Sequence, residues 1–165
     1  MRVFAIDPSV NYLGWAIMEP GFVVAHGTVN AVQMKEASWT ERIGWMIEAI
    51  DDVAQKFVFD TVAMEQPETW GAYKSMASSR SGSLQILTLL VGALTYWAIL
   101  AAGVESVKLI KVSQHKGQLP KRVTQSRMER KYNVKFNTSH EADACSVGNY
   151  CLERNEDETK GTRAC

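Results

Sequence analysis

The chain of 165 residues is poor in cysteine, in net charge and in leader-like sequence. Its three cysteines, Cys145, Cys151 and Cys165, are odd in number and show no CxxC spacing. That excludes a disulfide framework and a cysteine zinc cage as organising devices, and it fits a reducing compartment. Net charge is zero, with 18 basic and 18 acidic residues, so the total gives no hint of a polyanionic partner. No basic n-region with a cleavage site precedes the first apolar run, so the expectation is a protein without an export signal, working in the cytoplasm.

Charge is also missing locally. From Ser81 to Val104 there is no charged side chain, and Leu84 to Ala102 is long enough to span a bilayer. Gln85, Thr88, Gly92 and Thr95 dilute that run, and its flanks lack a positive-inside bias. It reads more simply as a core helix, or as a helix buried between subunits.

What is present is an ordinary globular composition, 46% apolar and 22% charged, enough for one domain with a real core. The domain is expected over residues 1–152, with 153–165 as a charged, frayed tail. No internal repeat is visible. The zero net charge conceals an asymmetry: between Lys108 and Lys135 nine lysines and arginines face the single acid Glu129, a local balance of +8. This one-sided segment, which includes Lys116, Lys121 and Arg122, is the footprint expected for a polyanion.

Arg2–Ile6 has the composition of a buried strand and ends at Asp7, where Pro8-Ser9-Val10-Asn11 turns the chain. Leu13–Met18 and Phe22–Thr28 read as two further strands, joined by the Pro20-Gly21 turn into an antiparallel meander. Ser38 and Glu41 have capping-box spacing and open a helix whose apolar face continues to about Phe59. Thr61–Met64 is a fourth strand, ending on Glu65. Gln66 to Gly82 reads as a long loop carrying Trp70, Tyr73, Lys74 and Arg80. The apolar helix follows and stops at Gly103, a C′ glycine. A fifth strand spans Val104 to Val112, Ser113–Leu119 is a polar loop, and Pro120 opens a short basic helix to about Tyr132. Thr138 and Glu141 cap a last helix through Cys151.

Two strands that each end in an acid, and a helix presenting His140 and Asp143 at i, i+3, make a constellation. Glu141 falls off that face and is assigned to capping. Carboxylates gathered at one sheet edge repel unless cations sit among them, and oxygen-rich sites with one imidazole suit Mg²⁺ or Mn²⁺. Two such ions, about 3.5–4 Å apart, support phosphodiester hydrolysis.

Ile6-Asp7-Pro8-Ser9 with Gly14-Trp15-Ala16, Val62-Ala63-Met64-Glu65-Gln66 and His140-Glu141-Ala142-Asp143-Ala144 together resemble the RuvC family of Holliday junction resolvases. The motifs cover nearly the whole chain, and Lys116–Lys121 with the compact size resembles phage-encoded members. The resemblance implies an α/β, RNase H-like fold: a five-stranded mixed sheet, its first three strands antiparallel, flanked by helices. It also implies cleavage of four-way DNA junctions with two Mg²⁺ per site, Mn²⁺ substituting. Asp7, Glu65 and Asp143 match metal-binding carboxylates. His140 stands where many members have a fourth acid, so it binds metal, or orients or deprotonates water. Lys116 and Lys121 are candidate phosphate contacts, and Trp70 or Tyr73 a candidate junction-opening aromatic. Symmetric cutting of two strands calls for a homodimer, with the uncharged helix as its interface. Integrases, transposases and exonucleases share the fold. Actin-like ATPases open similarly but need a second phosphate hairpin and an adenosine motif that are missing here. A binding module without catalysis would not need the acids.

Overall fold

Alternation in the first strand sorts the core into two layers. In β1 (Val3–Asp7), Phe4 and Ile6 face one side and Val3 and Ala5 the other, as a period of two requires. The computed structural model describes residues 1–34, 36–67, 82–117 and 119–162, with side chains through Asn155. Trp70, Tyr73, Lys74 and Arg80 lie outside the described residues.

β1, β2 (Tyr12–Glu19), β3 (Phe22–Asn30), β4 (Thr61–Gln66) and β5 (Ser106–Lys111) form one sheet in the order β3-β2-β1-β4-β5. β1–β2 and β2–β3 pair antiparallel, while β1–β4 and β4–β5 pair parallel. The fold is the expected one: a mixed, five-stranded sheet whose first three strands form an antiparallel meander.

One face is covered by α1 (Trp39–Ala54) and α2 (Ser83–Leu100), which set Met46, Ile50, Leu90, Leu94 and Trp97 against Phe4, Ile6, Ile17 and Met64. Both bonds of the Ser38–Glu41 capping box are formed. α1 stops at Ala54, short of the expected Phe59, yet Phe57 and Phe59 still pack on the core from the connection that follows. Their apolar spacing continues the helical pattern by burial rather than by helix. α2 is long and apolar enough to cross a membrane by length and composition, but its inner side is built into the core.

The other face is covered by α4 (Lys121–Tyr132) and α5 (Ser139–Thr162), with a one-turn helix, α3 (Val112–His115), inside the segment expected to be loop. The sheet residues here are small: Ala5, Ala16 and Ala63. α5 therefore rides close to the strands, and two glycines mark the contact. A Cβ on Gly14 would collide with the His140 carbonyl, and one on Gly148 would lie 2.5 Å from Met18 Sδ and 2.9 Å from Ala5 Cβ. α5 runs on to Thr162, beyond the point where the sequence suggests a tail.

Candidate active site

Parallel pairing brings the first two acids together. β1 and β4 are aligned Ile6 with Met64, so Asp7 and Glu65 follow side by side at the carboxyl ends of adjacent strands. Both are odd-numbered along their strands and share the side of Ala5 and Ala63, the face that α5 covers. The turn after Asp7 is secured from α1: the Arg42 guanidinium donates to Val10 O and Asn11 Oδ1, each at 2.8 Å.

The third acid comes from the first turn of α5, which is held over the sheet by Gly14 beneath it and by Glu141. Glu141 caps the helix, its own N–H donating to Thr138 Oγ1 at 3.2 Å. It does more than cap. Its buried carboxylate accepts from His26 Nδ1 at 2.7 Å and from Thr28 Oγ1 at 3.1 Å, tying the helix start to β3. His140 and Asp143, one turn apart, then overhang the strand ends. His140 Nδ1 donates to Asp7 Oδ2 at 2.7 Å, and the imidazole stacks on Tyr12 with centroids 5.6 Å apart. Asp143 is 1% exposed.

Two residues of the α3 end complete the cluster. Lys116 Nζ lies 2.9 Å from Glu65 Oε2 and 3.0 Å from Asp143 Oδ2. The contact with Asp143 is an ion pair without hydrogen-bond geometry, since both buried Asp143 oxygens make no hydrogen bond among the described residues. His115 Nε2 reaches the same Glu65 Oε2 at 2.9 Å. Lys121, the other candidate phosphate contact, is 3.9 Å from Asp143 Oδ2 at the mouth of the cluster and 58% exposed. Lys116 itself is not at the surface but inside, between the acids.

The electrostatics follow from this crowding. Burial pushes the Asp7 carboxyl above its ordinary value; the His140 hydrogen bond pulls it back, and the charges of Glu65 and Asp143 raise it again. Burial also pushes Glu65 up, but the His115 hydrogen bond and the Lys116 charge outweigh it and hold Glu65 below the usual range. For Lys116, burial works against the charged form, and Glu65, Asp143 and Asp7 more than offset it, keeping the ammonium charged.

Among the described residues no three His, Cys, Asp or Glu side chains already stand as a metal cage. The residues nevertheless fit divalent ions. One oxygen of each carboxylate is engaged: Asp7 Oδ2 by His140, Glu65 Oε2 by His115 and Lys116, and Asp143 Oδ2 by Lys116. The second oxygen of each has no hydrogen-bond partner among the described residues, and for Asp143 that oxygen is fully buried. Buried orphan acceptors are rare and call for a cation. Three hard oxygens and an imidazole are the donor set of Mg²⁺ or Mn²⁺.

The site therefore gathers all four expected residues, Asp7, Glu65, His140 and Asp143, together with Lys116. His115 is the residue that sequence reasoning misses. Its place follows from the strand order and not from the sequence: β5 pairs with β4, so the segment leaving β5 passes the Glu65 end of β4. Further out, Arg122, Arg127 and Arg130 on α4 have no ion-pair partner among the described residues. Arg127 and Arg130 join His115, Lys116 and Lys131 in walling a groove of about 420 Å³ between α4 and α5.

No family model and no curated protein matches the sequence. Among solved structures, the fold is similar to Thermus thermophilus RuvC, with a TM-score of 0.71, 18% identity and coverage of 95% of this chain and 97% of that one. It is also similar to T. thermophilus RuvC in complex with a Holliday junction substrate, with a TM-score of 0.68, 21% identity and coverage of 89% and 90%. The chain has the RuvC-like, RNase H-like fold, a mixed five-stranded sheet flanked by helices, over nearly its whole length.

Proposed function

We propose that the chain is a metal-dependent, structure-selective endonuclease that resolves four-way DNA junctions, a crossover junction endodeoxyribonuclease. The observation that carries this reading is the convergence of Asp7, Glu65 and Asp143, each with one oxygen held by the protein and one left over. In it, Asp7, Glu65 and Asp143 hold two Mg²⁺, with Mn²⁺ able to substitute and His140 a further candidate ligand. Bound there, the ions would lower the pKa of the attacking water and stabilise the leaving oxygen of a phosphodiester. The chain's own residues do the rest. His140, oriented through Nδ1 by Asp7, keeps Nε2 as the atom able to take a proton from the attacking water. Lys116 supplies the positive charge that develops a use when a phosphate enters among the acids, and Lys121 stands at the mouth to meet the strand. Arg122, Arg127 and Arg130, without an ion-pair partner among the described residues, give the DNA backbone a path along α4 toward the acids.

Two symmetric cuts call for two sites, and a homodimer supplies them. The outer side of α2 supports this, because Leu89, Tyr96, Ile99 and Leu100 are all more than half exposed beside a core-facing inner side. The Lys116–Lys121 stretch, which resembles phage-encoded resolvases, supports a phage-type resolvase acting in a host cytoplasm.

The test is cleavage of end-labelled four-way junctions, flaps and plain duplex in Mg²⁺, Mn²⁺, Ca²⁺ and EDTA. Paired symmetric nicks confined to the junction, in Mg²⁺ and Mn²⁺ but not in EDTA, are expected. Equal cutting of flaps and junctions would remove the resolvase reading while keeping the nuclease. No cutting of any substrate in either metal would remove both. Sedimentation at micromolar concentration should give a dimer.

A further inference from the structure

The His115 side chain is buried, 0% exposed, and both ring nitrogens are engaged. Nε2 lies 2.9 Å from Glu65 Oε2 and Nδ1 lies 3.2 Å from Ser146 Oγ. A carboxylate only accepts, so Nε2 carries a proton and donates it. Ser146 follows Asp143 by one helical turn on α5. The imidazole therefore spans from the β4 acid to the helix that carries the α5 acid, a chain of side-chain contacts that no capping or packing need explains. Its position follows from topology: β5 lies beside β4, and the one-turn helix α3 brings residue 115 back over the end of β4.

We propose that His115 is a positioning residue for Glu65, fixing Oε2 so that Oε1 is presented to a divalent cation, and coupling that orientation to the α5 turn bearing Asp143. This rests on the reading of the three acids as a cation site. An unrestrained glutamate has three side-chain torsions to order when a metal arrives, and the hydrogen bond from His115 orders them in advance. Outer hydrogen bonds of this kind typically change metal affinity about 10–100-fold when removed. Lys116, on the same oxygen, cannot substitute: its ammonium is a point charge on a flexible stem, whereas the His115 ring is a planar donor held between Glu65 and Ser146.

The experiment measures Mn²⁺ binding to the full chain by isothermal titration calorimetry, with thermal unfolding in EDTA alongside, for wild type, His115→Leu and His115→Gln. His115→Leu is expected to weaken Mn²⁺ binding about 10–100-fold. His115→Gln, whose amide N–H can still donate to Glu65, is expected to recover most of that loss. The Mn²⁺ concentration for half-maximal cleavage should rise in step with the dissociation constant. A His115→Leu protein that unfolds earlier but binds Mn²⁺ as wild type does overturns the proposal, as does equal weakening in both variants. Should His115→Leu not fold, Ser146→Ala carries the test: weaker Mn²⁺ binding supports the proposal and unchanged binding overturns it. Wild type that binds no Mn²⁺ at millimolar concentration brings down the cation site itself, and the positioning role with it.

Discussion

Replacing Gly14 by alanine adds one methyl group at the place where α5 lies closest to the sheet. The new Cβ would strike the His140 carbonyl and come within 2.9 Å of His140 Cβ. A backbone atom cannot swing aside as a side-chain tip can, so the start of α5 must withdraw by roughly an ångström to restore contact distance. Overpacking of this sort costs about 1–3 kcal/mol, which for a domain of this size lowers Tm by roughly 2–12 °C. The larger effect falls on the site. Asp7 and Glu65 ride on the sheet while His140 and Asp143 ride on the helix, so lifting the helix separates the two pairs. A misplacement of about 1 Å can cost about 100-fold in rate. Gly148→Ala is the matched control, since its Cβ would meet the flexible Met18 Sδ and Ala5, more than one turn further along α5. Junction cleavage and thermal unfolding of both variants decide the matter. Gly14→Ala should lose far more rate than Gly148→Ala for a given loss in Tm. Wild-type rate and Tm in Gly14→Ala, or equal rate losses at equal Tm, would refute the idea that this contact sets the acids' separation.

Asp7→Asn should abolish cleavage and, in EDTA at neutral pH, leave Tm equal or higher, because ionised Asp7 is disfavoured by burial and by Glu65 and Asp143. The sign is that of a raised carboxyl: its stabilising contribution is present below the unfolded value of 3.8 and is lost as pH rises through the folded pKa. The Tm advantage of Asp7→Asn should therefore grow with pH above about 4 and then level off. Lys116→Met removes the cation between Glu65 and Asp143 and should destabilise the protein in EDTA by about 3 kcal/mol, the order expected when one partner of a buried pair is lost. Adding Mn²⁺ should then raise its Tm more than it raises that of wild type, while cleavage stays low; an equal metal-induced shift would contradict a neutralising role for Lys116. Cys145 and Cys151 are buried, and burial pushes the Cys145 thiol up to about 12, so mapped alkylation of the native protein at pH 8 should leave both unmodified until it unfolds.

Strand ends were the most legible part of the sequence. Asp7 and Glu65 each close a short apolar run, and the acid after such a run marks both the strand boundary and the site. The i, i+3 spacing of His140 and Asp143 placed them on one face without any tertiary knowledge. What could not be read was which strand lies beside which. The order β3-β2-β1-β4-β5 puts the α3 segment next to Glu65, and only that neighbour relation turns His115 and Lys116 from residues of a polar loop into partners of the acids. Glu141 was legible as a cap but not as the buried anchor to His26 and Thr28, because β3 is more than a hundred residues away in sequence. The end of α1 was overrun because Phe57 and Phe59 keep the helical spacing while serving the core from a connection.

The most direct test of the central claim is anomalous diffraction at the manganese edge from crystals soaked in Mn²⁺. Anomalous density bounded by the carboxylates of Asp7, Glu65 and Asp143, with the Lys116 ammonium moved away from at least one of them, is the predicted result. Density only elsewhere on the molecule, with Lys116 still bridging Glu65 and Asp143, would contradict it.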